Sequence, residues 1–188
     1  MTTELVGPFP EGVDPGEYDR LRRRVLWSMP TGLFVIGSMA EVDGERRYNL
    51  MTANLVVQVA TRPKLLGVAI ETEAVTAELV RAGRCFAVSL LARVDRAVVR
   101  RFAKPVGEVT LDPDGAPLTM AGEPVRQART GAPVLAGAAA WIDCRLHSLD
   151  ELGSHVFAIG EVVDVGGPAS DEGVPILRME DTRMNYGG

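Results

Sequence analysis

The hydrophobic positions change period several times along the chain, and each change marks an expected element. Tyr18, Leu21, Val25 and Met29 recur at helical spacing, and Asp14-Pro15-Gly16-Glu17 before them is a helix start. Asp14 can cap, Pro15 suits the first turn, and Glu17 stands where a capping box wants it. Pro30 should end that helix. Residues 32–52, GLFVIGSMAEVDGERRYNLMT, read as two β-branched-rich segments joined at Asp43-Gly44, a tight-hairpin signal. Strand-like runs follow at 54–60 and 65–70, parted by Thr61-Arg62-Pro63, where proline marks a turn or a strand edge. A helix is expected from about Glu73, with Thr72 as its cap and Gly83 as its stop. Then come a strand at 85–91, a short helix with a basic outer face at 95–104, a Pro- and Gly-rich connection at 106–134, and two long strands at 137–148 and 155–165.

Six or more strands with short loops and few helices do not make the strand–helix alternation of a parallel sheet. The expected fold is mainly β, an antiparallel barrel with helical decoration, formed by one domain over residues 14–188 behind an N-terminal arm at 1–13. Composition agrees: 188 residues, 46% hydrophobic and 24% charged, suit one globular core. A net charge of −5, with Arg20, Arg22, Arg23 and Arg24 as the densest basic cluster, argues against nucleic acid. The start, MTTELVGPFPEG, lacks the features of a signal peptide, and no apolar run is long enough to cross a bilayer, so a cytoplasmic location is expected. Cys85 and Cys144 are read as reduced core residues, since neither has the spacing of a redox or zinc pair.

The common nucleotide, phosphate-loop, hydrolase and zinc-protease motifs are all missing from the sequence. His147 and His155 flank Asp150 and Glu151 in HSLDELGSH, on what reads as a strand-to-strand turn; they are taken as surface or dimer-contact histidines, and no metal is expected. No nucleophile with a neighbouring base can be assembled, which favours a bound cofactor that carries the chemistry. The stretch with most to explain is 48–71, an apolar run interrupted by Asn49, Thr52, Asn54, Gln58 and Thr61.

Met29-Pro30-Thr31-Gly32, Asn49-Leu50-Met51-Thr52-Ala53-Asn54, 62–70 (RPKLLGVAI), 83–91 (GRCFAVSLL), Arg101-Phe102-Ala103, 138–146 (AAAWIDCRL) and 153–162 (GSHVFAIGEV) occur in an order that resembles the flavin reductase family of FMN-binding split β-barrels. The likeness runs from Asp14 to Leu177. It implies a homodimeric split barrel with flavin at or near the subunit interface. It further implies reduction by NADH or NADPH and release of reduced flavin to a partner flavin-dependent monooxygenase.

On that resemblance, the turn at Met51, Thr52, Ala53 and Asn54 would offer backbone N–H groups and the Thr52 and Asn54 side chains to the flavin, with Thr31, Gln58 and Phe102 as further contacts. Thr72 and Thr76, in the loop after the fourth strand, would stand by the flavin phosphate, where a helix start also offers N–H groups. Glu71 and Glu73 in the same loop would repel it unless they point away. His155 matches a family histidine near the nicotinamide and is the candidate catalytic residue. The tail RMEDTRMNYGG departs from the family ending, though Tyr186, with Arg183, would still cover the site. The acidic loop favours FAD over FMN, and the lack of an arginine cluster for a 2′-phosphate favours NADH over NADPH. Two other readings stay open: a split barrel with tightly bound FMN acting as an oxidase, and a non-catalytic flavin-binding module.

Overall fold

A computed structural model describes residues 5–167 and 173–182. Two α-helices and eleven strands are found among them. Helix α1 (Pro15–Trp27) starts as its sequence demands: the Asp14 carboxylate accepts from the Glu17 N–H at 2.8 Å. The helix ends three residues before Pro30. Strands β1 (Phe34–Val42) and β2 (Glu45–Ala53) form the expected hairpin. Asp43 at φ 54° and Gly44 at φ 81° both take the left-handed conformation that a two-residue hairpin turn requires.

β3 (Val56–Thr61) and β4 (Lys64–Glu71) follow, then α2 (Val75–Gly83), β5 (Cys85–Leu90) and the long pair β10 (Ala140–Leu152) and β11 (His155–Gly166). They make one seven-stranded antiparallel sheet in the order β2-β1-β5-β10-β11-β4-β3. Its two outer strands, β2 and β3, are consecutive in the chain and joined by only Asn54 and Leu55. The three Cα steps from Ala53 to Val56 span at most about 11 Å, so the sheet has to curl until its edges approach at that point. Ile36, Leu66, Val68, Ile70, Phe86, Val88, Cys144, Val156 and Ala158 fill the curl from five strands, with Ala77 and Val80 of α2. Close packing governs the strand interiors: a Cβ on Gly37 would meet the Pro133 carbonyl oxygen, and one on Gly67 the Phe157 ring.

Residues 106–134 correct the sequence reading. The expected connection is a second, four-stranded sheet, β6 (Val109–Leu111), β7 (Pro117–Met120), β8 (Glu123–Gln127) and β9 (Pro133–Leu135), in chain order. It lies over the outer side of β1 and β2, where Val35, Leu50, Phe102, Met120, Leu135 and Leu177 build a second core. The helix expected at 95–104 is instead two 3-10 turns, Arg93–Asp95 and Val98–Phe102. α1 buries none of its residues; Leu21, Val25, Leu26, Trp27 and Met29 are all exposed. The arm reaches it through the Phe9 ring, edge-on to Tyr18 and under Arg22.

Candidate functional site

Alternation along β2 sorts the candidate residues. Tyr48, Leu50 and Thr52 face the second core, whereas Asn49, Met51 and Ala53 face the curled interior and α2. Thr52 is buried and its hydroxyl donates to the Val99 carbonyl at 2.6 Å, holding the 3-10 turn against the strand. That side chain is committed internally and leaves only backbone for a ligand. Phe102 is likewise fully buried in the second core and supports the site from behind. Asn49 ties three elements together: its Nδ2 donates to Thr76 Oγ1 at 2.9 Å, and its Oδ1 accepts from the Val106 N–H at 3.1 Å.

Met51, Val56 and Ala74 pack partly buried against the first core, in which Ala53 is buried. Asn54, next in the chain, is half-buried, and among the described residues its amide has no hydrogen-bond partner. The Ala69 N–H donates to the Leu55 carbonyl at 3.0 Å, so the register sets the 53–55 segment beside the end of β4. Glu71 there is the cross-strand partner of His155. Two strand spacings, about 10 Å, thus separate the 53–54 segment from His155. The two approach the rim from opposite faces, since Ile70 and Val156 point inward and their neighbours Glu71 and His155 outward. Ser154 Oγ lies 2.9 Å from His155 Nδ1, which leaves Nε2 open.

The loop after β4 differs from its expected form. α2 begins at Val75, its cap position is Ala74, and no side chain accepts from its first turn. Thr72 does not cap; its N–H donates to the Ser154 carbonyl at 3.0 Å and its hydroxyl to the Gly153 carbonyl at 3.3 Å, fastening the loop to the β10–β11 turn. Arg81 adds a bond to the Thr72 carbonyl and an ion pair with Glu151 at 2.9 Å. Thr76 is buried with its hydroxyl bonded to Asn49, so it too can offer only its backbone N–H. Glu71 and Glu73 are exposed and turned to solvent.

Gln58 lies on the same face of β3 as Val56, across from the core residue Leu66, but is itself exposed and donates to the Ala60 carbonyl at 3.1 Å. Thr31 holds the C-terminal segment through its carbonyl, which accepts from the Met179 N–H at 3.0 Å. Tyr186 and Arg183 lie outside the described residues. Beyond the expected set, Arg46 and Arg47 line a cavity of about 310 Å³ with Val75, Leu79, Pro105 and Val106. The signal available for them was the Arg-Arg doublet directly after the hairpin turn. Among the described residues no three His, Cys, Asp or Glu side chains gather as metal ligands, and no helix is long and apolar enough to cross a membrane.

The groups most affected by burial lie away from this rim. Asp143 is fully buried; desolvation raises its pKa above the usual carboxylate value, although Thr130 donates to it through its N–H at 2.8 Å and its hydroxyl at 2.6 Å. Burial, reinforced by the Asp143 charge, pushes the Cys144 thiol up to about 12. Both cysteines are buried free thiols.

Residues 26–186 match the family pattern described as the flavin reductase like domain. The chain is 33% identical over 159 residues to an NADH-dependent FAD reductase of Streptomyces globisporus, covering 85% of this chain and 81% of that protein. The solved NADH:FAD oxidoreductase of Streptomyces globisporus superposes with a TM-score of 0.64 at 32% identity, covering 85% of this chain and 89% of the other. The styrene monooxygenase flavin reductase of Pseudomonas putida superposes with a TM-score of 0.61 at 25% identity, over 78% of this chain and 87% of its own.

Proposed function

Since this chain belongs to the flavin reductase-like domain family, we propose that it takes flavin at the rim where its outer strands meet, reduces it with NADH, and releases it to a flavin-dependent monooxygenase. It is an NAD(P)H:flavin oxidoreductase. The observation that carries this reading is the uncapped start of α2, whose Ala74 packs against the same core as Ala53, with the half-buried Asn54 next in the chain. A flavin needs a small-residue surface for a flat ring, polar groups for its pyrimidine edge and ribityl chain, and donors for a phosphate. Ala53 and Asn54 supply the first two, and the free first-turn N–H groups of Val75 and Thr76 the third. Solvent-facing Glu71 and Glu73 leave that position clear of negative charge.

Bound flavin supplies the two-electron chemistry with the nicotinamide. The chain orients and shields it. The internal bonds of Thr52, Asn49 and Thr76 hold β2, the 3-10 turn and α2 in fixed relation around the rim. His155, with Nδ1 engaged by Ser154, presents Nε2 to the nicotinamide carboxamide. Because it faces outward, a second subunit over the outer face completes the nicotinamide side of the site. That homodimer is supported by the bare outer apolar row Leu55, Val57 and Val59, and the curled sheet then corresponds to a split barrel. Residues 14–188 act as one domain behind the arm at 1–13, and the protein works in the cytoplasm.

The test is the loss of NADH absorbance by purified protein under air, with no flavin, FMN or FAD, repeated with NADPH. Turnover that requires added flavin is expected. Yellow protein with no turnover would favour tightly held FMN or a silent binding module instead. Asn54→Ala should raise the Michaelis constant for flavin, and His155→Ala should alter the dependence on NADH alone.

A further inference from the structure

β2 is the last strand of its sheet, and no other strand pairs with its outer side. Arg46 and Arg47 leave it on opposite faces, yet both line the cavity of about 310 Å³ at its start. One cavity meets side chains from both faces of a strand only where it wraps round a free edge. Its walls are apolar: Val75 and Leu79 of α2 on one side, Val106, Val109 and Leu111 on the other. Toward the rim it is closed. The buried Asn49–Thr76 bond and the Val106 N–H on Asn49 Oδ1 stand between the two, so the cavity does not continue the flavin site.

The charge in the lining is simple to count. Arg47 is paired with Glu78 at 3.1 Å, and no acidic residue lines the cavity. Arg46 donates only to the Asp114 carbonyl, at 3.2 Å, and among the described residues no carboxylate neutralises it. One positive charge is therefore left over at an otherwise apolar slot. An uncompensated guanidinium suits one negative charge spread over a planar group that accepts two of its N–H bonds, which describes a carboxylate. A phosphate dianion would leave one of its charges unmatched and press its oxygens on methyl groups. The volume is at the low end of the roughly 300–1,000 Å³ of ligand sites, room for one small apolar body and none for a dinucleotide.

We infer that this cavity binds a small organic monocarboxylate, with its apolar body between α2 and β6 and its carboxylate on Arg46. The site stands whether or not flavin occupies the rim.

Calorimetry with cinnamate, cinnamamide and inorganic phosphate tests this on the natural protein, Arg46→Ala, Arg46→Lys and Leu111→Glu. Arg46 and Leu111 are exposed and belong to neither large core, so all three variants should fold, with urea midpoints as the check. Cinnamate is expected to bind the natural protein with a dissociation constant of about 1 mM or below. Arg46→Ala and Leu111→Glu should each weaken it about tenfold, and Arg46→Lys should recover part of that loss. Cinnamamide, with the same body and no charge, should bind about tenfold more weakly than cinnamate. FMN affinity should stay within about twofold in every variant. Absence of cinnamate binding, or binding that Arg46→Ala leaves unchanged, would overturn the site. Phosphate bound as tightly as cinnamate would overturn the ligand class. If the natural protein binds cinnamate in this way but no flavin, the rim reading falls and this site is upheld.

Discussion

β2 and β3 are the two outer strands of the same sheet, neighbours in sequence, and they treat their side chains in opposite ways. β2 is covered on both faces from Tyr48 onward, and Asn49 and Thr52 spend their hydrogen bonds inside. β3 buries little: Leu55, Val57 and Val59 are 46%, 55% and 41% exposed, and Gln58 bonds only to its own strand. An edge covered by its own chain can use polar side chains as internal fasteners. An apolar edge left bare is the surface that the proposed dimer would cover.

Breaking the comparison should cost most where the apolar row is bare. Val57→Asp should leave the monomer folded but weaken the proposed dimer by about 3 kcal/mol, the cost of burying an unpaired charge. Light scattering would show the mass fall toward one chain, and unchanged mass would mean that β3 is not the contact. On β2, Asn49→Ala strands Thr76 Oγ1 and the Val106 N–H and should destabilise the fold by about 2 kcal/mol, read from the urea midpoint. Gln58→Ala on β3 should stay within about 0.5 kcal/mol.

The fastening seen on β2 extends to Asp143, and there its pH dependence is readable. Its folded pKa is raised, so the folded state binds more protons than the unfolded one between the ordinary carboxylate value of 3.8 and the folded value. Stability from this group falls as pH rises through that window. Asp143→Asn removes that slope while losing acceptors for Thr130, so the variant's deficit should be larger at the acid end of the window than above it. Thermal scans across pH would check this, and parallel curves would refute it. The smallest effect concerns Cys85 and Cys144: buried, with raised pKa, they should resist a thiol reagent until the protein is unfolded.

Much of this was legible in the sequence. Asp43-Gly44, the Asp14 cap and the long closing strands carry local signals strong enough to read directly. Residues 106–134 did not, because strands of three to five residues containing Pro117, Pro124 and Pro133 are too short for alternation to show. They are strands because Met120, Val125 and Leu135 find a common core with Leu50 and Phe102. At the candidate site, residue types pointed to a segment, but the direction of each side chain is set by tertiary bonds. Thr52 and Thr76 look alike on the page as exposed hydroxyls, and both turn inward. The cavity lined by Arg46 and Arg47 could not be read from the sequence, because segments 60 residues apart in the chain form it.

The Asn54–Leu55 link sets limits on how the chain can be altered. Insertions at Gly44 or Gly153, in solvent-facing hairpin tips, would lengthen a loop and disturb little, which makes them natural points for attaching a label or a second protein. One residue added between Ala53 and Val56 would shift the start of β3 and exchange its inner and outer faces, turning Val56 out and Val57 in. The gene can therefore vary freely at the tips of this fold, while the two-residue seam admits substitution but no change of length.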